Sequence, residues 1–69
     1  MALEDGWAIL ETDEGTFDVY ERGFIVVYDI PTIEDALYEI EGHIPREELK
    51  KGVEVTIVRW DSPEERRTI

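Results

Sequence analysis

Between Glu11 and Gly23 the chain reads E-T-D-E-G-T-F-D-V-Y-E-R-G, which sets Glu11, Asp13, Glu14, Asp18 and Glu21 against one base, Arg22. Carboxylates this dense can hold a divalent metal, present negative charge where a basic protein would otherwise meet phosphate, or keep a hairpin solvated. A calcium loop needs oxygen ligands at fixed offsets over about twelve residues, with a central Gly and a terminal bidentate Glu. D-E-G-T-F-D, Asp13 to Asp18, lacks that spacing, so no metal is expected. Nucleophilic catalysis has as little to work with. His43 is the single His, Ser62 the single Ser, and there is no Cys, so no His-based triad is expected. A His near a helix C-terminus favours the dipole there. No Gly-rich phosphate loop is present. The reading is a non-enzyme without catalytic residues, metal or cofactor.

Charge is the chemistry that remains. The formal charge of the 69-residue chain is −11. Phosphate-backbone binding works by Lys and Arg displacing counterions, so direct nucleic-acid binding is not expected. Anionic membrane surfaces are excluded on the same ground. A basic protein is the natural partner. The excess is uneven. Residues 1–45 hold twelve acids and one base, and residues 46–69 hold six of each. An acid-rich, Lys-poor composition also fits a salt-loving host, although salt adaptation does not explain the asymmetry.

A chain of this length makes one domain, residues 1–69, burying roughly 60% of the surface its unfolded form exposes. Residues 1–5 and 62–69 are expected to be flexible. The absence of Cys suits a reducing compartment. No apolar run reaches membrane-span length, and Met1 to Asp5 has no signal-like core. The expectation is a soluble, cytoplasmic protein.

The elements that would position the acids follow from periodicity. Trp7 to Thr12, Thr16 to Glu21 and Phe24 to Ile30 read as strands, separated by turn signals at Asp13-Glu14-Gly15 and Arg22-Gly23. F-I-V-V-Y-D-I is nearly continuous in apolar residues and predicts a central strand. After Pro31, Thr32 is a good N-cap, and Ile33, Ala36, Leu37, Ile40 and Ile44 recur at helical spacing. Gly42 is the expected helix end. Pro45 to Gly52 can form one or two helical turns, and Val53 to Trp60 alternates as a fourth strand. The predicted fold is α+β with the order β-β-β-α-β. It is a three-stranded antiparallel meander plus a fourth strand, with one helix on one sheet face.

Two-residue loops at Glu14-Gly15 and Arg22-Gly23 would set the register. Leu10 would then oppose Val19, Val19 would oppose Val26, and Thr12, Phe17 and Tyr28 would align. With Phe24, Val53, Val55 and Ile57 these form the face for the helix. The opposite face would carry Trp7, Ile9, Glu11, Asp18, Tyr20, Ile25, Val27, Asp29, Val58 and Trp60, together with Glu54 and Thr56. Glu11 would stand opposite Asp18, a destabilising like-charge pair. An open face with two Trp suits a partner or a second copy of the chain. Trp7, Tyr20 and Trp60 would anchor, and Glu11, Asp18 and Asp29 would pair with Lys or Arg. Glu34, Asp35, Glu39 and Glu41 around Tyr38 make a secondary acidic helix face.

The turn D-E-G before an aromatic strand, followed by T-I-E-D-A-L-Y-E-I from Thr32 to Ile40, is similar to HicB-type antitoxins. That family pairs a D-G-G-Y-like turn with T-x-E-E-A-x-x-N-I. The resemblance covers Trp7 to Ile44. It implies a β-β-β-α-β core and an acidic module that sequesters a small basic RNA-cleaving toxin. The chain departs from the family at Glu21-Arg22-Gly23, where a Leu-Pro-Gly segment is usual, and at Tyr38-Glu39-Ile40, where an Asn precedes Ile.

These readings converge on a non-enzymatic acidic interaction module. It would be a small inhibitor, an anti-defence protein of the kind phages encode, a DNA mimic or an antitoxin-like protein that binds a basic, nucleic-acid-binding partner. The competing expectation is a homodimeric structural or accessory protein whose acidity serves solubility or salt tolerance.

Overall fold

The helical stripe and the strands assemble as an α+β fold in the computed structural model, which describes residues 6–69. The expectation for residues 1–5 lies outside the described residues. Five strands and two helices follow in chain order: β1 Trp7–Glu11, β2 Phe17–Glu21, β3 Phe24–Ile30, α1 Ile33–His43, α2 Arg46–Lys51, β4 Glu54–Val58 and β5 Glu65–Thr68. The sheet order is β3-β2-β1-β4-β5. The meander is antiparallel as the sequence predicts, whereas β4 pairs parallel with β1. β3 runs in the same direction as β1, so a helical crossover from β3 delivers β4 parallel to β1.

Three expectations about the elements are corrected. The sheet has five strands rather than four, because the tail expected to be flexible over 62–69 contains β5, antiparallel to β4. Arg66 and Arg67 within it are held by ion pairs to Glu54, Glu64, Glu34 and Glu65. The second helix forms as a short separate element, with Gly52 leaving it at φ 87°. β3 is an edge strand, not a central one, and the middle strand of the five is β1. The apolar run of β3 is therefore exposed at an edge over Phe24, Ile25, Val26 and Tyr28.

The capping of α1 follows its sequence. The Thr32 side chain accepts the backbone N–H of Asp35 at 3.1 Å. The helix runs past Gly42 to His43 and stops at Ile44, which is extended (φ −104°, ψ 131°). Pro45 follows, and proline disfavours helical backbone in the residue before it, so Pro45 rather than Gly42 ends the helix.

The core lies between the sheet and α1. Ile9, Phe17, Val19, Ile30, Ile33, Ala36, Ile40, Ile44, Val55 and Ile57 form one buried cluster, with Trp7, Val27, Leu37, Leu49, Val53 and Ile69 packed at its margin. Phe17, Val19, Val55 and Ile57 are under the helix as expected. Leu10, Val26, Tyr28 and Phe24 are not among this cluster; the first hairpin accounts for Leu10, and the β2–β3 ladder for Val26 and Tyr28.

That hairpin has a three-residue loop, Asp13 to Gly15, instead of the expected two. Thr12 N–H donates to the Thr16 carbonyl at 2.8 Å, Gly15 N–H donates to the Thr12 carbonyl at 3.2 Å, and Gly15 has φ 82°. A turn followed by a left-handed Gly is the usual three-residue solution. The Thr12 hydroxyl tightens it by accepting from the N–H of Glu14 and of Thr16. The one-residue difference slides β1 along β2, so that Ile9 opposes Val19 and Leu10 opposes Asp18. Side chains alternate between faces, so the slip turns all of β1 over.

The second hairpin is the two-residue turn that Arg22-Gly23 predicts. Both residues have positive φ, 52° and 86°, and Glu21 pairs with Phe24. The ladder then shifts twice, pairing Val19 with Val27 and Phe17 with Ile30. These bulges replace the expected Val19–Val26 and Phe17–Tyr28 pairs.

Candidate interaction surface

The corrected register divides the expected partner face. Trp7, Ile9 and Val27 belong to the helix side, where Ile9 has 0% exposure and the other two pack against the core. The Trp7 ring lies 6.2 Å from that of His43, the last residue of α1. Glu11 opposes Phe17, not Asp18, so the predicted like-charge pair does not form. Its carboxylate instead accepts the backbone N–H of Trp60 at 3.1 Å. The Trp60 indole N–H donates to the Thr12 carbonyl, also at 3.1 Å. Trp60 is thus fastened to the end of β1 while its ring stays 67% exposed.

Asp18, Tyr20, Ile25 and Val58 do share the face away from α1. The cross-strand row runs Ile25–Tyr20–Ala8–Thr56–Arg66, with Asp18–Leu10–Val58 beside it. Directly opposite residues share a face. Ala8 is buried in the middle of this row, and Leu10, Tyr20 and Val58 are half-buried. Asp29 lies at the second bulge with φ 63°, and its N–H donates to the Asp18 carboxylate at 3.0 Å. On α1, Glu34, Asp35, Tyr38, Glu39 and Glu41 are all exposed, so the acidic helix face is placed as the sequence predicts.

The feature that sequence reasoning missed is the margin at β3. Phe24, Ile25, Val26 and Tyr28 are all exposed, the two aromatics at 77% and 73%. Reading F-I-V-V-Y as a central strand hid it. The double shift against β2 was not legible, although an Asp within an apolar strand is a hint of left-handed backbone.

Two grooves adjoin the sheet. A groove of about 240 Å³ lies between the β1–β2 turn and β3, among Thr12, Glu14, Thr16, Asp18, Ile25, Tyr28 and Asp29. It has three carboxylates and no base. The larger groove, about 720 Å³, runs from Trp7 and the second hairpin to α2 and β5. Its charged residues cancel, with Glu21, Glu48 and Glu54 set against Arg22, Lys51 and Arg66.

Charge is segregated in space. Among the described residues, the meander and α1 with their loops (residues 6–45) carry ten acids and one base, a net −9. Residues 46–69, forming α2, β4 and β5, are neutral overall. The sheet order puts β2 and β3 on one flank of β1 and β4 and β5 on the other. The bases of β5 are engaged. Arg67 Nε donates to Glu65 at 2.7 Å, Arg67 Nη1 lies 3.6 Å from Glu34, and Arg66 lies 3.7 Å from Glu54. The hydrogen bond from Arg67, reinforced by the charges of Arg67 and Arg59, holds the Glu65 carboxyl below the usual glutamate range. The same bond raises Arg67.

Among the described residues, no group of His, Cys, Asp or Glu side chains is placed to hold a metal ion, and no helix is long and apolar enough to cross a membrane. Set beside protein-family models, curated proteins and solved structures, the chain matches none.

Proposed function

We propose that this protein is a non-enzymatic acidic interaction module that binds a basic, nucleic-acid-binding protein in the cytoplasm, acting as a small inhibitor or antitoxin-like protein. The spatial segregation of charge carries this reading. A net −9 on one flank of the fold and neutrality on the other give the molecule a preferred face for a cation-rich surface. Such a field steers encounter and raises association rates. Carboxylates presented by the β1–β2 turn, β2, β3 and α1 would occupy positions that phosphates take in the partner's own ligand. The similarity of Thr32 to Ile40 to HicB-type antitoxins supports the same reading, since that family neutralises a basic ribonuclease.

The test is association kinetics with a panel of small basic ribonucleases and DNA-binding proteins across a salt series. The proposal expects at least one fast, salt-sensitive complex that a nucleic-acid ligand of the partner competes away. Uniformly absent or salt-insensitive binding would overturn it.

The exposed Phe24, Ile25, Val26 and Tyr28 favour a second reading, a homodimer that buries this strip with acidity serving solubility or salt tolerance. Light scattering at low and high salt separates the two, since a dimer at both salts supports the second.

A further inference from the structure

We propose that the β3 margin is the docking surface of the module, and that its occupant is a segment of the basic partner carrying an apolar anchor beside an Arg. This rests on the interaction reading above and adds the location and chemistry of the contact.

β3 offers side chains more than backbone. Glu21 and Phe24 flank a two-residue turn and therefore exchange their hydrogen bonds, which leaves the backbone groups of Ile25 pointing outward. Further along, the shifts between Tyr20 and Val19 and between Val19 and Phe17 interrupt the even spacing that a long added strand would need. Bulges blunt an edge against strand pairing and re-aim side chains. Here they accompany four apolar side chains in solvent, Phe24, Ile25, Val26 and Tyr28, while Val27 between them turns to the core.

Charge complementarity selects the occupant. The groove beside this strip has Ile25 and Tyr28 as apolar lining and the carboxylates of Glu14, Asp18 and Asp29 around them. An Arg side chain matches that composition, because its stem covers apolar surface while its head seeks carboxylates and aromatic faces. A second copy is disfavoured. Joining two β3 margins would bring two such carboxylate groups together. Joining β3 to β5 of another copy gains little, since Arg66 and Arg67 already have acidic neighbours.

The probe is a blocked heptapeptide, Arg-Leu-Arg-Trp-Arg-Leu-Arg, titrated into the whole isotope-labelled chain at low salt and followed by amide shifts. Controls replace Arg with citrulline, or Leu and Trp with Ala. The expected result is saturable binding with shifts centred on residues 24–29 and the β1–β2 turn, lost with citrulline and weakened by Ala. Because Tyr28 and Ile25 are exposed, the double variant Ile25→Thr, Tyr28→Thr keeps β propensity. It should fold, by circular dichroism, and bind the parent peptide at least about tenfold more weakly. Binding of equal strength in that variant, or shifts centred on Leu10 and Val58 or on α1, would overturn the β3 assignment while leaving a basic partner in place. No binding of any cationic peptide would overturn both. Peptide-independent dimerisation through residues 24–28 would replace the proposed occupant with a second copy.

Discussion

The backbone N–H of Asp29 donates to the Asp18 carboxylate across 3.0 Å, while Asp29 itself holds φ 63°. The left-handed conformation carries a cost for any residue with a Cβ, and Asp tolerates it better than most. The bond ties β2 to β3 where their ladder is irregular. Asp18 therefore acts within the fold before it acts on any partner. Asp18→Ala should cost about 0.5–1.5 kcal/mol, because one hydrogen bond is lost at an exposed site. Asp18→Asn keeps an acceptor and should be nearly neutral in stability while slowing association with a basic protein. Asp29→Val should cost about 1–3 kcal/mol, since a β-branched residue fits the left-handed region poorly. Urea unfolding of the three variants checks the ranking.

The face assignment of β1 has its own test. Ile9→Ala should lose roughly 2–5 kcal/mol, as a fully enclosed Ile leaves a cavity. That is a large share of the stability of a small domain. A mild effect on the unfolding midpoint would mean that Ile9 faces solvent and that the register is wrong.

Trp60 gives an optical readout. Its ring is exposed and its indole N–H is bonded to the Thr12 carbonyl. Trp60→Phe removes that bond and should cost about 0.5–1 kcal/mol. Its emission should be strongly quenched by iodide, and Trp7, packed at the core margin, should be protected. Equal quenching of the single-Trp variants Trp7→Phe and Trp60→Phe would contradict this placement.

Glu65 predicts a direction in pH. Its carboxyl is held below the ordinary range first by the hydrogen bond from Arg67. A group with a depressed folded pKa contributes stability that is present above the unfolded value and lost as pH falls through the folded one. The window is therefore acidic, below about pH 4. Carbon-detected NMR titration should place Glu65 below the other surface glutamates, and Arg67→Gln should return it toward them. An unchanged midpoint in Arg67→Gln would assign the shift elsewhere.

Salt should act oppositely on folding and on binding. Screening the net −9 of residues 6–45 relieves self-repulsion, so the unfolding temperature should rise with salt while partner association slows. A thermal melt series beside the kinetic one checks both signs.

Much of this arrangement was legible from residue type. Thr32 and the stripe Ile33, Ala36, Ile40 specify α1, and Arg22-Gly23 specifies a tight turn, because these depend on local backbone chemistry. The face of β1 was not legible, since D-E-G supports a loop of either two or three residues and only the longer one lets the Thr12 and Thr16 backbones close. The place of β3 was not legible either. Apolar continuity does not say whether a strand lies between two others or at a margin, and the two bulges depend on tertiary fit. Asp18 and Ile25 lie on the outer face that the residue pattern predicts, while the observed register turns Trp7, Ile9 and Val27 inward.

The placement of β4 beside β1 also orders events in time. β1, β2 and β3 can pair through short turns as soon as residue 30 has emerged from the ribosome. The inner flank of β1 stays unpaired until residues 54–58 arrive, and with them come Val55 and Ile57, which complete the core. Pairing across such a sequence separation is slow, and it closes loop entropy late. A chain whose residues 54–58 have not yet emerged therefore presents β1 as a bare edge. The turn beside it carries Asp13 and Glu14, and charge at an edge disfavours pairing with another chain. Like-charge repulsion among the acids of residues 6–45 thus opposes association of chains that still lack β4.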